Sequence, residues 1–127
     1  MPTTILCYGN QHFPGDEIAQ QIGQQISHQN FTFVSAESPY DILKVKGDVF
    51  ILDVVKGIKT VQWLTIDDLK HTTSITAHDL DLGFFLTLLQ QTDQLGAVQI
   101  LGIPYGQNDL PKLKTDVEHL LAIIPSE

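Results

Sequence analysis

The run VFILDVV, residues 49–55, is apolar at every position except Asp53. A carboxylate buried charged and alone is strongly unfavourable, so Asp53 should sit at the rim of the fold facing a partner, a helix N-terminus or a metal ion. Two other polar pairs stand where chemistry could gather: Asp16 and Glu17, at the start of one helical pattern, and His78 and Asp79, just before another. Two carboxylates and an imidazole form an oxygen–oxygen–nitrogen donor set suited to a borderline divalent cation with open positions, or to proton transfer. Structural explanations compete with each. The helix dipole accounts for acids at a helix start, a loop beside an N-cap accounts for His78, and a strand-end cap accounts for Asp53. Both readings stand at this point.

These residues need elements to position them. Residues 3–9 (TTILCYG) are a short apolar run closed by Gly9 and Asn10, which predicts a buried strand and a turn. Ile18, Ala19, Ile22 and Ile26 recur at helical spacing, and the β-branched and aromatic run Phe31–Val34 predicts a second strand. Ser38 followed by Pro39 reads as an N-cap opening a short helix through Val45. Residues 49–55 form the clearest strand, buried on both faces, whereas the alternation over 61–66 predicts a half-exposed edge strand. Leu82, Phe85, Leu86 and Leu89 predict a helix over 81–92. A last strand follows over 98–103, then an amphipathic helix over 109–123 carrying Leu113, Val117, Leu120 and Leu121. The expectation is one domain over residues 1–127: an α/β/α sandwich on a twisted, mostly parallel sheet of about five strands, with one antiparallel edge strand. In such sheets sites lie beyond the carboxyl ends of the strands, where all three polar groups fall.

Composition excludes several partners. The chain has 127 residues, a formal net charge of −8 and scattered lysines as its cations, so no basic face is available for nucleic acid or an anionic membrane. No apolar run approaches the ~20 residues of a spanning helix, and the N-terminal run is too short for the apolar region of a signal peptide. A cytoplasmic protein is expected. Cys7 is the single cysteine, so neither a disulfide framework nor a thiolate cluster forms, and its place in a strand marks it as a small buried hydrophobe. Trp63 reads as edge-strand packing and His12 as a loop histidine within reach of the site. His28, His71 and His119 have no ligand-like surroundings. No nucleophile elbow, glycine-rich phosphate loop or His-Glu-x-x-His pair occurs.

Four pieces in order resemble the hydrogenase maturation proteases, endopeptidases that remove a C-terminal extension from the large subunit of nickel–iron hydrogenases. They are the strand ending in Gly9 and Asn10 with Asp16 and Glu17 after it, the strand ending in Asp53, the element Thr76, Ala77, His78 opening a helix, and a late strand with Gly102 and Ile103. The resemblance spans roughly residues 4–122. Three segments depart from the family pattern: the loop between Asn10 and Asp16 holds five residues where four are usual, residues 34–37 (VSAE) stand where many members have Asp-Gly-Gly, and Gly102, Ile103, Pro104 and Tyr105 where a Gly-Ile-Gln-Pro type of segment is common.

The resemblance implies that Glu17, Asp53 and His78 form the catalytic and metal-contacting trio. It implies further that the trio recognises nickel already inserted in the precursor large subunit, so that only a loaded substrate is cut. No resident cofactor is then expected, although zinc or cadmium could occupy the trio in place of nickel. The protease is expected to be a cytoplasmic monomer. Two alternatives remain: a receiver-like domain phosphorylated on Asp53 with magnesium on Asp16 and Glu17, and a relative that binds a metal-loaded partner without cleaving it.

Overall fold

The computed structural model describes residues 3–9, 17–36, 39–45, 48–65, 68, 91 and 98–123. The chain runs β1 (Thr3–Tyr8), α1 (Ile18–Gln25), β2 (Phe31–Ala36), a 3₁₀ segment (Pro39–Lys44), β3 (Val49–Val55), β4 (Gln62–Leu64), β5 (Val98–Pro104) and α2 (Leu110–Leu121). The five strands form one sheet in the order β2-β1-β3-β5-β4. Its first three ladders are parallel, and β4 closes the far edge antiparallel to β5. The expected mostly parallel α/β sheet with an antiparallel edge strand is therefore observed.

Burial explains the order. β3 and β5 read as near-continuous apolar runs because the sheet is covered on both sides at its centre, and Val49, Ile51, Leu52, Val54 and Val55 are all buried. β2, at the other edge, shows exposed Thr32, Val34 and Ser35.

On one face, Ile5, Cys7, Leu52, Val54, Leu101 and Ile103 meet Ile18, Ile22 and Ile26 from the α1 region and Leu113, Val117 and Leu121 of α2. Each fully buried aliphatic side chain of this kind stabilises the fold by about 1.5–3 kcal/mol. Asp109 N-caps α2, its side chain accepting from the Lys112 amide at 3.2 Å, and Pro111 occupies the first turn, where its missing N–H is harmless. Trp63 locks the antiparallel edge to this layer by donating from Nε1 to the Leu120 carbonyl at 3.2 Å.

On the opposite face, Leu6, Tyr8, Ile51, Val55, Leu64 and Ile100 pack with Ala36 and with Ile42 of the 3₁₀ segment. That segment is the described cover of this face; the helix expected over 81–92 lies outside the described residues. The short helix expected after Ser38 is observed as a 3₁₀ helix of six residues. One boundary moves: the second strand continues past Val34 to Ala36, paired with Tyr8. No helix among the described residues is long and apolar enough to cross a membrane.

Candidate functional site

β1 and β2 are parallel and joined through α1, so α1 runs back against them and its N-terminus lies at the carboxyl edge of the sheet. Glu17 is the N-cap residue there. Its backbone is near-helical (φ −82°, ψ −4°) and its side chain makes no capping hydrogen bond. The half-exposed carboxylate thus makes no capping bond and relates to the helix end only through the helix dipole.

Asp53 lies two residues before the end of β3, facing Gly102 across the β3–β5 ladder. It is 2% exposed and is deeper than a rim position. Oδ1 accepts a hydrogen bond from the next backbone amide, Val54 N–H, at 2.9 Å. Strand alternation turns Asp53 to the face of Ile51 and Val55, opposite α1. Glu17 and Asp53 therefore approach the same edge of the sheet from its two sides. His78, Asp16, Asp79, His12 and Glu37 lie outside the described residues. Among the described residues no group of three or more His, Cys, Asp and Glu is placed to hold a metal ion.

Two residues become neighbours of Asp53 only through strand register. Continuing the β1–β3 register one step past the Cys7–Leu52 pair brings Tyr8 level with Asp53. Tyr8 is fully buried, and burial first, then the negative charges of Asp41 and Asp53, hold its phenol pKa above the ordinary range. Gly102 is the other. A Cβ there would come within 2.8 Å of Leu64 Cδ1 and 3.0 Å of Ile58 Cδ1, so a side chain opposite Asp53 would require these two side-chain ends to shift. Aromatic and glycine letters in apolar runs look like packing until strand register is known.

The remaining candidates behave as their surroundings suggest. Cys7 is buried, and desolvation pushes its thiol up to about 12, which leaves it an inert hydrophobe. Trp63 packs edge-on to Phe50 with ring centroids 6.4 Å apart. His28 is part of a turn, its Nδ1 accepting from Asn30 N–H at 3.0 Å, and His119 sits in the last turn of α2. The sheet order also bears on the receiver alternative. Such domains have the doubly wound, parallel order 2-1-3-4-5, whereas this sheet ends in an antiparallel β4 beside β5.

No protein-family model and no curated protein matches the chain. Solved structures do. Hydrogenase maturating endopeptidase HybD from E. coli superposes with a TM-score of 0.72 at 16% identity, covering 98% of this chain and 92% of that one. The NiFe hydrogenase maturation protease HybD from Thermococcus kodakarensis gives 0.70 at 16% identity, over 98% of this chain and all of that one. Endopeptidase HycI from Escherichia coli gives 0.69 at 19% identity, over 94% and 88%. At these identities the likeness establishes a common fold: the chain has the architecture of the hydrogenase maturation proteases over almost its whole length.

Proposed function

We propose that this protein is a hydrogenase maturation endopeptidase that removes the C-terminal extension of a nickel–iron hydrogenase large subunit once nickel has been inserted. The observation that supports this reading is the shared fold. Glu17, at the N-terminus of α1, and Asp53, near the end of β3, both belong to the carboxyl side of the sheet, and the sequence resemblance implies that they are the family's acidic residues.

In this reading Glu17, Asp53 and His78 contact nickel that belongs to the substrate. Carboxylate oxygens and an imidazole nitrogen suit that ion, and the low-polarity setting of Asp53 makes a cation beside it favourable. An ion shared by Glu17 and Asp53 has to lie at the sheet edge, since the two acids approach from opposite sides. A precursor without nickel then lacks the group that seats it, which makes cleavage a checkpoint on loading. Hydrolysis adds one water across the peptide bond, with His78 or a carboxylate of the pair taking the water's proton and the departing amine regaining one. The protein works in the cytoplasm as a monomer, with the precursor large subunit as its partner and no resident cofactor.

Intact-mass spectrometry of the precursor, mixed with this protein with and without prior nickel loading, tests the proposal. Loss of a C-terminal peptide from the loaded sample alone is the expected result. An unchanged mass for a verified loaded precursor overturns it, and co-elution of the uncut pair would then identify the non-cleaving relative.

A further inference from the structure

The carboxyl ends of β3 and β5 continue into two turns that the trio of Glu17, Asp53 and His78 does not use. Each holds a glycine in the left-handed region, Gly57 at φ 95° and Gly106 at φ 90°. No atom would meet a Cβ at Gly106 within 4 Å, so the backbone conformation alone requires glycine there. The turns are tied together at three points. Tyr105 N–H donates to the Val55 carbonyl at 3.1 Å. Gln107 Nε2 donates to the Lys59 carbonyl at 3.0 Å. The Lys56 ammonium lies 4.6 Å from the centre of the Tyr105 ring. The result is a braced lip, with a 43% exposed ring and a half-exposed ammonium on its surface.

The charge of this lip is out of keeping with its surroundings. Lys44 and Lys112 are held by Asp41 and Asp116, while Lys56 and Lys59 have no carboxylate partner among the described residues. They stand in a chain of net charge −8, on the sheet edge that also carries Glu17 and Asp53. Lys56 follows Asp53 by three residues, about 10 Å of extended chain. A peptide reacting beside Asp53 reaches the lip with a residue about three positions from the cleaved bond. A carboxylate on that residue is repelled by the acids of the site and attracted by Lys56, while the Tyr105 ring offers an apolar surface beside it.

We propose that Lys56 and Tyr105 form a substrate-docking lip that selects a precursor carrying a carboxylate about three residues from the cleaved bond. This rests on the endopeptidase reading, and the test separates the two. Cleavage of nickel-loaded precursor is followed for the wild type, Lys56→Glu, Lys56→Arg and Tyr105→Ala. Neither site is buried, and unchanged melting temperatures verify the folding of the variants. Lys56→Glu is expected to raise KM about five- to tenfold with kcat unchanged, Lys56→Arg to restore it, and Tyr105→Ala to raise it about two- to threefold. A precursor with the acids flanking its cleavage point changed to amides should start from the raised KM and be indifferent to Lys56→Glu. A precursor lengthened by neutral residues moves the chain-terminal carboxylate away, so a raised KM in that arm identifies the chain end, and an unchanged one a side chain. Equal KM for wild type and Lys56→Glu, or a fall in kcat alone, overturns the lip. If the wild type leaves loaded precursor uncut, the endopeptidase reading fails by itself, and direct binding then decides. Weaker binding of the precursor by Lys56→Glu retains the lip, and equal Kd values overturn it.

Discussion

Cys7 and Tyr8 are neighbours on β1, both almost wholly buried, yet they belong to different molecules in chemical terms. Cys7 faces the side covered by α1 and α2, where every buried neighbour is apolar and desolvation alone raises its pKa. Tyr8 faces the side that carries Asp53 and the 3₁₀ segment, and the charges of Asp41 and Asp53 add to the effect of burial. One face of the sheet is built to hold the fold. The other gives up apolar surface to hold a carboxylate. The difference teaches where substitutions should be felt: on the helical face as stability, on the opposite face as activity.

The largest expected effect tests the second half of that contrast. Asp53→Asn keeps the shape and retains an oxygen for the Val54 amide, while removing the charge. Cleavage of loaded precursor should fall by about 10²–10⁴-fold, with the melting temperature moving by less than about 5 °C. Single-turnover rates and a thermal melt on the same preparation check both. Near-normal cleavage, or gross unfolding, would erase the distinction between the faces.

How much of this was legible in the sequence depends on the range of the physics. Buried strands and amphipathic helices are local patterns, so β1, β3, β5, α1 and α2 follow from apolar runs and spacing, and the alternation at 61–66 marks β4 as an edge. Asp53 stood out because a charge in an apolar run is locally anomalous. Glu17 stood out at a helix start, although only the structure shows that its side chain does no capping. Tyr8 could not be found that way, and Gly102 entered only as part of the late-strand motif, since their places beside Asp53 come from strand neighbours far away in the chain. The Lys56–Tyr105 contact is hidden for the same reason: it exists because β3 and β5 are adjacent, across an intervening stretch that no local pattern spans. The short helix through Val45 was legible, but its 3₁₀ type was not, because N-cap and proline signals open α- and 3₁₀-turns alike.

A smaller effect sharpens the first half of the contrast. Gly23 of α1 sits over Cys7, where an added Cβ would lie 2.6 Å from Sγ and 3.5 Å from the Cβ atoms of Cys7 and Phe33. Gly23→Ala gains helix propensity but overpacks the layer, for a net loss of about 2 kcal/mol. Adding Cys7→Ala removes the obstructing sulfur and should return most of that loss. A denaturant double-mutant cycle measures the coupling, and precursor cleavage should change little in all three variants. Additive losses would mean that the helix does not rest on Cys7 as tightly as the geometry indicates.

The smallest effect compares the two faces within one titration. Both Cys7 and Tyr8 lose protons less readily in the folded chain than in the unfolded one. Above the unfolded pKa the unfolded state therefore binds fewer protons, and stability falls as pH rises. For Cys7 the window opens near the ordinary value of 9.0 and extends to about 12, with a slope of about 1.4 kcal/mol per pH unit at full difference. Cys7→Ala should flatten the alkaline decline from pH 9 upward, and Tyr8→Phe should flatten it starting about one unit higher. Asp53→Asn discriminates the faces: it removes one of the charges acting on Tyr8 and none of the causes acting on Cys7. Its effect should thus persist in Cys7→Ala and vanish in Tyr8→Phe, as read from urea midpoints across the alkaline range. An equal response in both backgrounds would mean that the charge of Asp53 reaches through the sheet, and the two faces would have to be treated as one electrostatic unit.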